Sequence, residues 1–169
     1  LDHSMASVPD VRSLVHLLGH RAQTAPDAVA YLFLSDNGQS ESLTHGQLDA
    51  RATFIAAHLQ ARGAPLGQPV LLLFQPGLDY IAAFFGCLYA GAIPVPAYPP
   101  TSARRLPRLQ AVLDDAQACC AITTSADLQR INTLESRQDK LTISDWLVLD
   151  QLQELPPPWV DPGASADTI

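Results

Sequence analysis

Apolar residues along this chain recur at two different spacings, and the changes between them predict its elements. Leu14, Val15, Leu17, Leu18 and Ala22 share a helical face. A helix is therefore predicted from near Pro9 or Val11 to no further than Ala25, because Pro26 cannot continue it. Val29–Leu34 reads as a strand. Asp36-Asn37-Gly38 reads as a turn, and Glu41–Leu43 as the returning strand of a hairpin. Thr44-His45-Gly46-Gln47 has the form of a capping box, in which hydroxyl and amide side chains satisfy each other's backbone N–H groups. Leu48, Ala52, Ile55, Ala56 and Leu59 continue at helical spacing up to Gly63, a natural stop.

The second half alternates the same way. Val70–Phe74 is a solid apolar run of strand length, the pattern of a strand covered on both faces. Leu78–Ala90 is apolar nearly all round, so a deeply buried helix is predicted, running into a buried strand at Ile93–Ala97. Pro107 fits the first turn of a helix whose inner stripe is Leu106, Leu109, Leu113 and Ala116. Cys119–Thr123 is a strand, Ser125–Arg137 a helix and Trp146–Leu149 a last strand. Strands alternating with helices predict an α/β fold: a mainly parallel sheet with helices on both faces. Residues 1–8 read as an added, unstructured tail, since Leu1–Ser4 precede Met5. Residues 9–150 read as the α/β unit. Residues 151–169, with four prolines and no periodicity, read as an exposed connector.

Composition narrows the class. The chain has 169 residues, 47% of them apolar, enough to fold without disulfides or metal. Ten basic residues against 17 acidic, net −7, argue against nucleic acid and against an anionic membrane surface. Nine of the ten are arginine, and Lys140 is the only lysine. Tyr80–Ala103 carries no charge, but Gly91 and four prolines interrupt it, so no membrane span is predicted. Three cysteines form no disulfide framework and the N-terminus has no secretory signal. Buried, reduced thiols in a cytoplasmic protein are predicted.

Motif by motif, the chemistry is sparse. His16 and His20 share a helix face, but Leu17 stands where a metalloprotease has Glu, so solvated histidines are predicted. Gly86 and Gly91 have the spacing of a phosphate-binding loop, but Ala92-Ile93 replace its Lys-Ser/Thr. Gly86 is better read as permitting close helix packing and Gly91 as ending the helix. Asp114 and Asp115 are adjacent and point apart on a helix, which is poor geometry for a carboxylate pair. Periodicity and spacing yield no catalytic constellation.

A longer run is informative. Phe84-Phe85-Gly86-Cys87-Leu88-Tyr89-Ala90-Gly91-Ala92-Ile93-Pro94-Val95-Pro96-Ala97-Tyr98-Pro99-Pro100 resembles the adenylate-forming superfamily of acyl-CoA synthetases, luciferases and peptide-synthetase adenylation domains. Its Val-Pro-x-Tyr-Pro-Pro ending resembles the fatty acyl-AMP ligases within it. Ala25–Ala30, Leu43–Leu48 (with His45 for the usual Tyr), Ala57–Gly63 and Gly67–Phe74 are similar to the segments that accompany that run. The resemblance implies a two-step reaction for the intact protein. A fatty acid carboxylate attacks the α-phosphate of ATP with Mg²⁺ present, and the acyl group of the acyl-AMP passes to the phosphopantetheine of an acyl carrier protein.

The resemblance also implies that this chain is the first part of the large N-terminal domain. It stops after Ala166-Asp167-Thr168-Ile169, just before the family's ATP-phosphate loop, and works with the rest of its own polypeptide. No catalytic, ATP-binding or metal residue is then expected within it, and the segment alone is expected to be inactive. Tyr80, Phe84 and Tyr98 are the candidate acyl-pocket residues. The alternatives are a segment of an acyl-CoA synthetase or amino-acid adenylation domain, or a non-catalytic α/β binding module.

Overall fold

The computed structural model describes residues 13–35, 37–63, 66–118, 120–135, 140–152, 156 and 158–163. Five helices and six strands are found among them: α1 (Leu14–Thr24), β1 (Val29–Leu34), β2 (Ser40–Thr44), α2 (His45–Ala61), β3 (Pro69–Leu73), α3 (Leu78–Ala90), β4 (Ile93–Ala97), α4 (Leu106–Ala116), β5 (Cys120–Thr123), α5 (Ser125–Leu134) and β6 (Trp146–Val148). The predicted helix starts at Pro9 or Val11, the strand start at Cys119 and the helix end at Arg137 lie outside the described residues.

Four strands form a parallel sheet in the order β4-β3-β5-β6. Side chains of β3 alternate between its faces. Val70 and Leu72 join α2 and α3 in one core, with Ile122 and Leu147. Leu71 and Leu73 join Leu106, Leu109 and Leu113 of α4 and Ile131 of α5 in the other. This is the predicted class. β1 and β2 form a separate antiparallel hairpin against the first core. Its loop closes through Ser35 N–H to the Gln39 carbonyl at 2.9 Å.

Local signals act as read from the sequence. Thr44 Oγ1 accepts from Gln47 N–H at 3.3 Å, while Thr44 N–H donates to Gln47 Oε1 at 3.0 Å. Gly91 closes α3 at φ 73°, where a side chain would be strained. Gly86 lets α3 touch α2: a Cβ there would lie 2.5 Å from Ile55 Cγ2. Asp114, Asp115 and His16 are exposed. Cys87 and Cys120 are buried. No described helix is long and apolar enough to cross a membrane.

One expectation needs correction. β4 is a half-buried edge strand, not a buried one. Ile93 N–H reaches across to Gln68 O on the β3 side, and N–H directions alternate along a strand, so the prolines at 94 and 96 sit where the N–H would face the open edge. Pro-x-Pro thus forbids another strand there. The tail, exposed at 158, 160, 161 and 163, is tied to the helices at two points. Trp159 Nε1 donates to Tyr89 O at 2.8 Å, and its ring lies 5.4 Å from that of Tyr89. Gln60 of α2 bonds the Val160 backbone both ways, at 2.7 and 3.1 Å. A side-chain amide can imitate a strand partner, and no periodicity announces it. The tail's other residues, 153–155, 157 and 164–169, lie outside the described set.

Two long-range polar links complete the frame. The Tyr89 hydroxyl donates to Asp49 Oδ1 at 2.5 Å, and burial followed by this carboxylate pushes the phenol far up from its ordinary value. Asp150, just after β6, accepts from Ser125 N–H at 2.8 Å and from the Ser125 hydroxyl at the start of α5. The hydroxyl bond holds the Asp150 carboxyl below its ordinary value.

Phe85 is 8% exposed and enclosed by Phe84 and Tyr31. Phe85→Ala is expected to cost about 3–5 kcal/mol in a denaturant melt, against at most about 0.5 kcal/mol for exposed Gln129→Ala. Gly86→Ala should cost about 1–3 kcal/mol, and less than additively when combined with Ile55→Ala. Full additivity would mean that the two side chains do not meet. The folded carboxyl of Asp150 is the more acidic one. Its contribution is therefore complete above the unfolded value and lost as pH falls through the folded one. Asp150→Asn should lower the melting temperature at pH 7, with the gap from the parent closing on acidification. A gap independent of pH would show that ionised Asp150 contributes nothing.

Candidate functional site

In an open parallel sheet, ligands gather beyond the carboxyl ends of strands whose outgoing connections leave in opposite directions. β3 and β5 are such a pair. β3 leads through α3 on one face to β4 on its outer side, and β5 leads through α5 on the other face to β6. Just beyond their carboxyl ends lies a cleft of about 670 Å³. The loop Gln75-Pro76-Gly77 forms its floor, the hairpin contributes Phe33 and Glu41, and α5 contributes Asp127 and Arg130.

The charges in this cleft are arranged in pairs. Arg51 of α2 is bonded to Asp79 in the first turn of α3. Arg130 Nη1 lies 3.2 Å from Asp127 Oδ1, whose side chain is 6% exposed. Thr124 caps α5 by accepting from Asp127 N–H at 3.2 Å, and its hydroxyl donates to Asp127 Oδ2 at 3.3 Å. Both arginines are thus answered by carboxylates, and Glu41 adds a further negative charge. The donor set does not fit a Mg²⁺-bound triphosphate. Among the described residues there is also no group of three His, Cys, Asp or Glu that could hold a metal.

The three candidate pocket residues do not converge. Tyr80 and Phe84 lie one turn apart on α3, half-buried against the first core, with rings 6.3 Å apart. Tyr98 is 76% exposed and lines a separate groove of about 440 Å³ between the end of β4 and α4. Sequence reasoning missed both the 670 Å³ cleft and this groove. For the cleft, Gln75-Pro76-Gly77 directly after an apolar strand was the available signal. For the groove it was Arg104-Arg105 with Arg108, the one basic cluster in an acidic chain.

Comparison with known proteins gives this geometry a lineage. Over 173 aligned residues the chain is 37% identical to the medium-chain-fatty-acid–[acyl-carrier-protein] ligase JamA of Moorena producens (strain JHB), covering 96% of this chain and 28% of that protein. It is also 37% identical to Disco-interacting protein 2 homolog B-A of Danio rerio, over 85% of this chain and 9% of that protein. The crystal structure of a fatty acid AMP ligase from Legionella pneumophila superposes with a TM-score of 0.76 at 36% identity, over 85% of this chain and 24% of that one. The chain thus spans between about a tenth and about a quarter of the length of these relatives. A model of the AMP-binding enzyme family matches residues 18–167. With almost the whole α/β unit inside that match, the chain belongs to the AMP-binding enzyme family.

Proposed function

We propose that this chain serves as a scaffold segment of a fatty acid–AMP ligase. The observation that carries the reading is the 36% identity, at a TM-score of 0.76, with the Legionella pneumophila fatty acid AMP ligase. The likeness to JamA, named for ligation to an acyl carrier protein, supports a carrier as the acyl acceptor. On this reading a carboxylate oxygen of the fatty acid attacks the α-phosphorus of ATP. Pyrophosphate leaves, and acyl-AMP forms. A phosphopantetheine thiol then attacks the acyl carbonyl, and AMP leaves with the electron pair of the broken C–O bond. Mg²⁺ would offset the phosphate charge. No step is assigned to Arg51 or Arg130, which carboxylates already occupy.

The chain's own part is positional. Its parallel sheet fixes the 670 Å³ cleft, and the Tyr80–Phe84 pair supplies an apolar wall for the acyl chain. The reaction is assigned to the cytoplasm, where ATP is available.

ATP–pyrophosphate exchange tests the reading. The full-length protein should exchange with medium or long fatty acids and not with amino acids. The 169-residue chain alone should not exceed blank. Preference for an amino acid would replace the reading with amino-acid adenylation. Absence of exchange by the full-length protein with every carboxylic acid tried would leave a non-catalytic binding module.

A further inference from the structure

The charge of this chain is unevenly placed. It is −7 overall, yet no acidic residue lies between Asp79 and Asp114, and that stretch holds Arg104, Arg105 and Arg108. All three are exposed, and their guanidinium groups take part in no ion pair among the described residues. Of the other described arginines, those at positions 51, 62 and 130 each face a carboxylate.

This placement works against the stability of the isolated chain. Helix N-termini carry partial positive charge and favour acidic residues. α4 has none in its first turn, and neither it nor the 3₁₀ turn Ala103–Arg105 before it receives a side-chain cap. Arg104 and Arg108 are four residues apart, so like charges face each other on one side. Leu106 and Leu109 are buried and fix the ridge beneath them. No described carboxylate pairs with this ridge, which leaves it open to an acidic partner.

The groove beside the ridge describes what would bring that charge. Its floor is apolar, with Ala97, Leu109 and Val112, and Arg105 and Arg108 line it. Tyr98 stands at its edge on the buried Pro99-Pro100, with its ring 76% exposed. Arginine and tyrosine beside an apolar floor are the residue types enriched at protein interfaces. The three guanidinium groups are carried at positions 104, 105 and 108, along the ridge from the 3₁₀ turn into α4. They match a helix that carries carboxylates on either side of an apolar residue.

We propose that the groove between the end of β4 and the first turn of α4, rimmed by Arg104, Arg105 and Arg108 and flanked by Tyr98, docks an acidic helix of the carrier protein that accepts the acyl group. The identity of the partner rests on the fatty acid–AMP ligase reading above. The location rests on the charge pattern. The remaining acidic surface repels such a partner and steers it to this ridge.

The test measures acyl transfer from the full-length protein to a holo acyl carrier protein, and binding of that carrier to the 169-residue chain. Reversing the ridge with Arg104→Glu, Arg105→Glu and Arg108→Glu should raise KM for the carrier at least tenfold and abolish binding by the chain. Replacing all three with lysine should leave most of both. Single reversals should separate the positions: Arg108→Glu should weaken binding several-fold, and Arg21→Glu, on α1, should not. Added salt should weaken the parent and leave the reversed variant unaffected. Circular dichroism and melting of each variant exclude misfolding as the cause.

Unchanged KM and binding in the reversed ridge would overturn the proposal. So would absence of carrier binding by the parent chain, or binding of a DNA duplex as tightly as the carrier. Exchange by the parent, which needs no carrier, reports separately on the ligase assignment.

Discussion

Helix α3 has no polar face to offer to water, and the rest of the molecule is arranged around that constraint. Nine of its thirteen residues are buried, from Leu78 to Ala90. Such a helix must be enclosed, and two surfaces enclose it: one face of the parallel sheet and helix α2. The second contact is close only because Gly86 presents bare backbone to Ile55. Once α2, α3 and β3 are locked together, β4 must follow on the outer side of β3, and the right-handed crossover through α4 carries the chain over to β5. The cleft beyond the β3 and β5 ends follows from this topology, not from any residue selected to line it.

The same helix anchors the distant parts of the chain through its final turn. Tyr89 contributes three groups to two neighbours. Its hydroxyl holds Asp49 of α2, its carbonyl accepts from the Trp159 indole, and its ring packs against that indole. Two residues further, the left-handed backbone of Gly91 leaves room for Leu66 and Pro162, which a Cβ would meet at 2.2 and 3.2 Å. The segment around Trp159 is therefore held by α2 and α3, although it forms neither helix nor strand.

The fold was largely legible in the sequence because each element carries its own local signal. Val29–Leu34 and Leu78–Ala90 have the predicted boundaries, and Thr44 and Gly91 cap where their chemistry demands. What escaped reading depends on relations between distant residues. Pro94 and Pro96 looked like interruptions in a buried run, and only their shared direction in the sheet marks an edge. Gln60 carries no local signal because its partner is a hundred residues away. Tyr80 and Phe84 share a face by simple helical spacing. Tyr98 follows them closely in sequence, yet the end of β4 carries it to a different groove. The candidate sites formed by convergence, the cleft and the basic groove, had only faint linear signals.

Amide hydrogen exchange measures the central constraint directly. If enclosure of α3 organises the molecule, the amides of its second half, 83–90, and those of β3, 70–73, should exchange together and most slowly, opening only with global unfolding. The exposed faces of α1 and α4 should open earlier. Exchange in α3 as fast as in α1, while β3 stays protected, would contradict the account, because the sheet would then be stable without the helix that is held here to organise it.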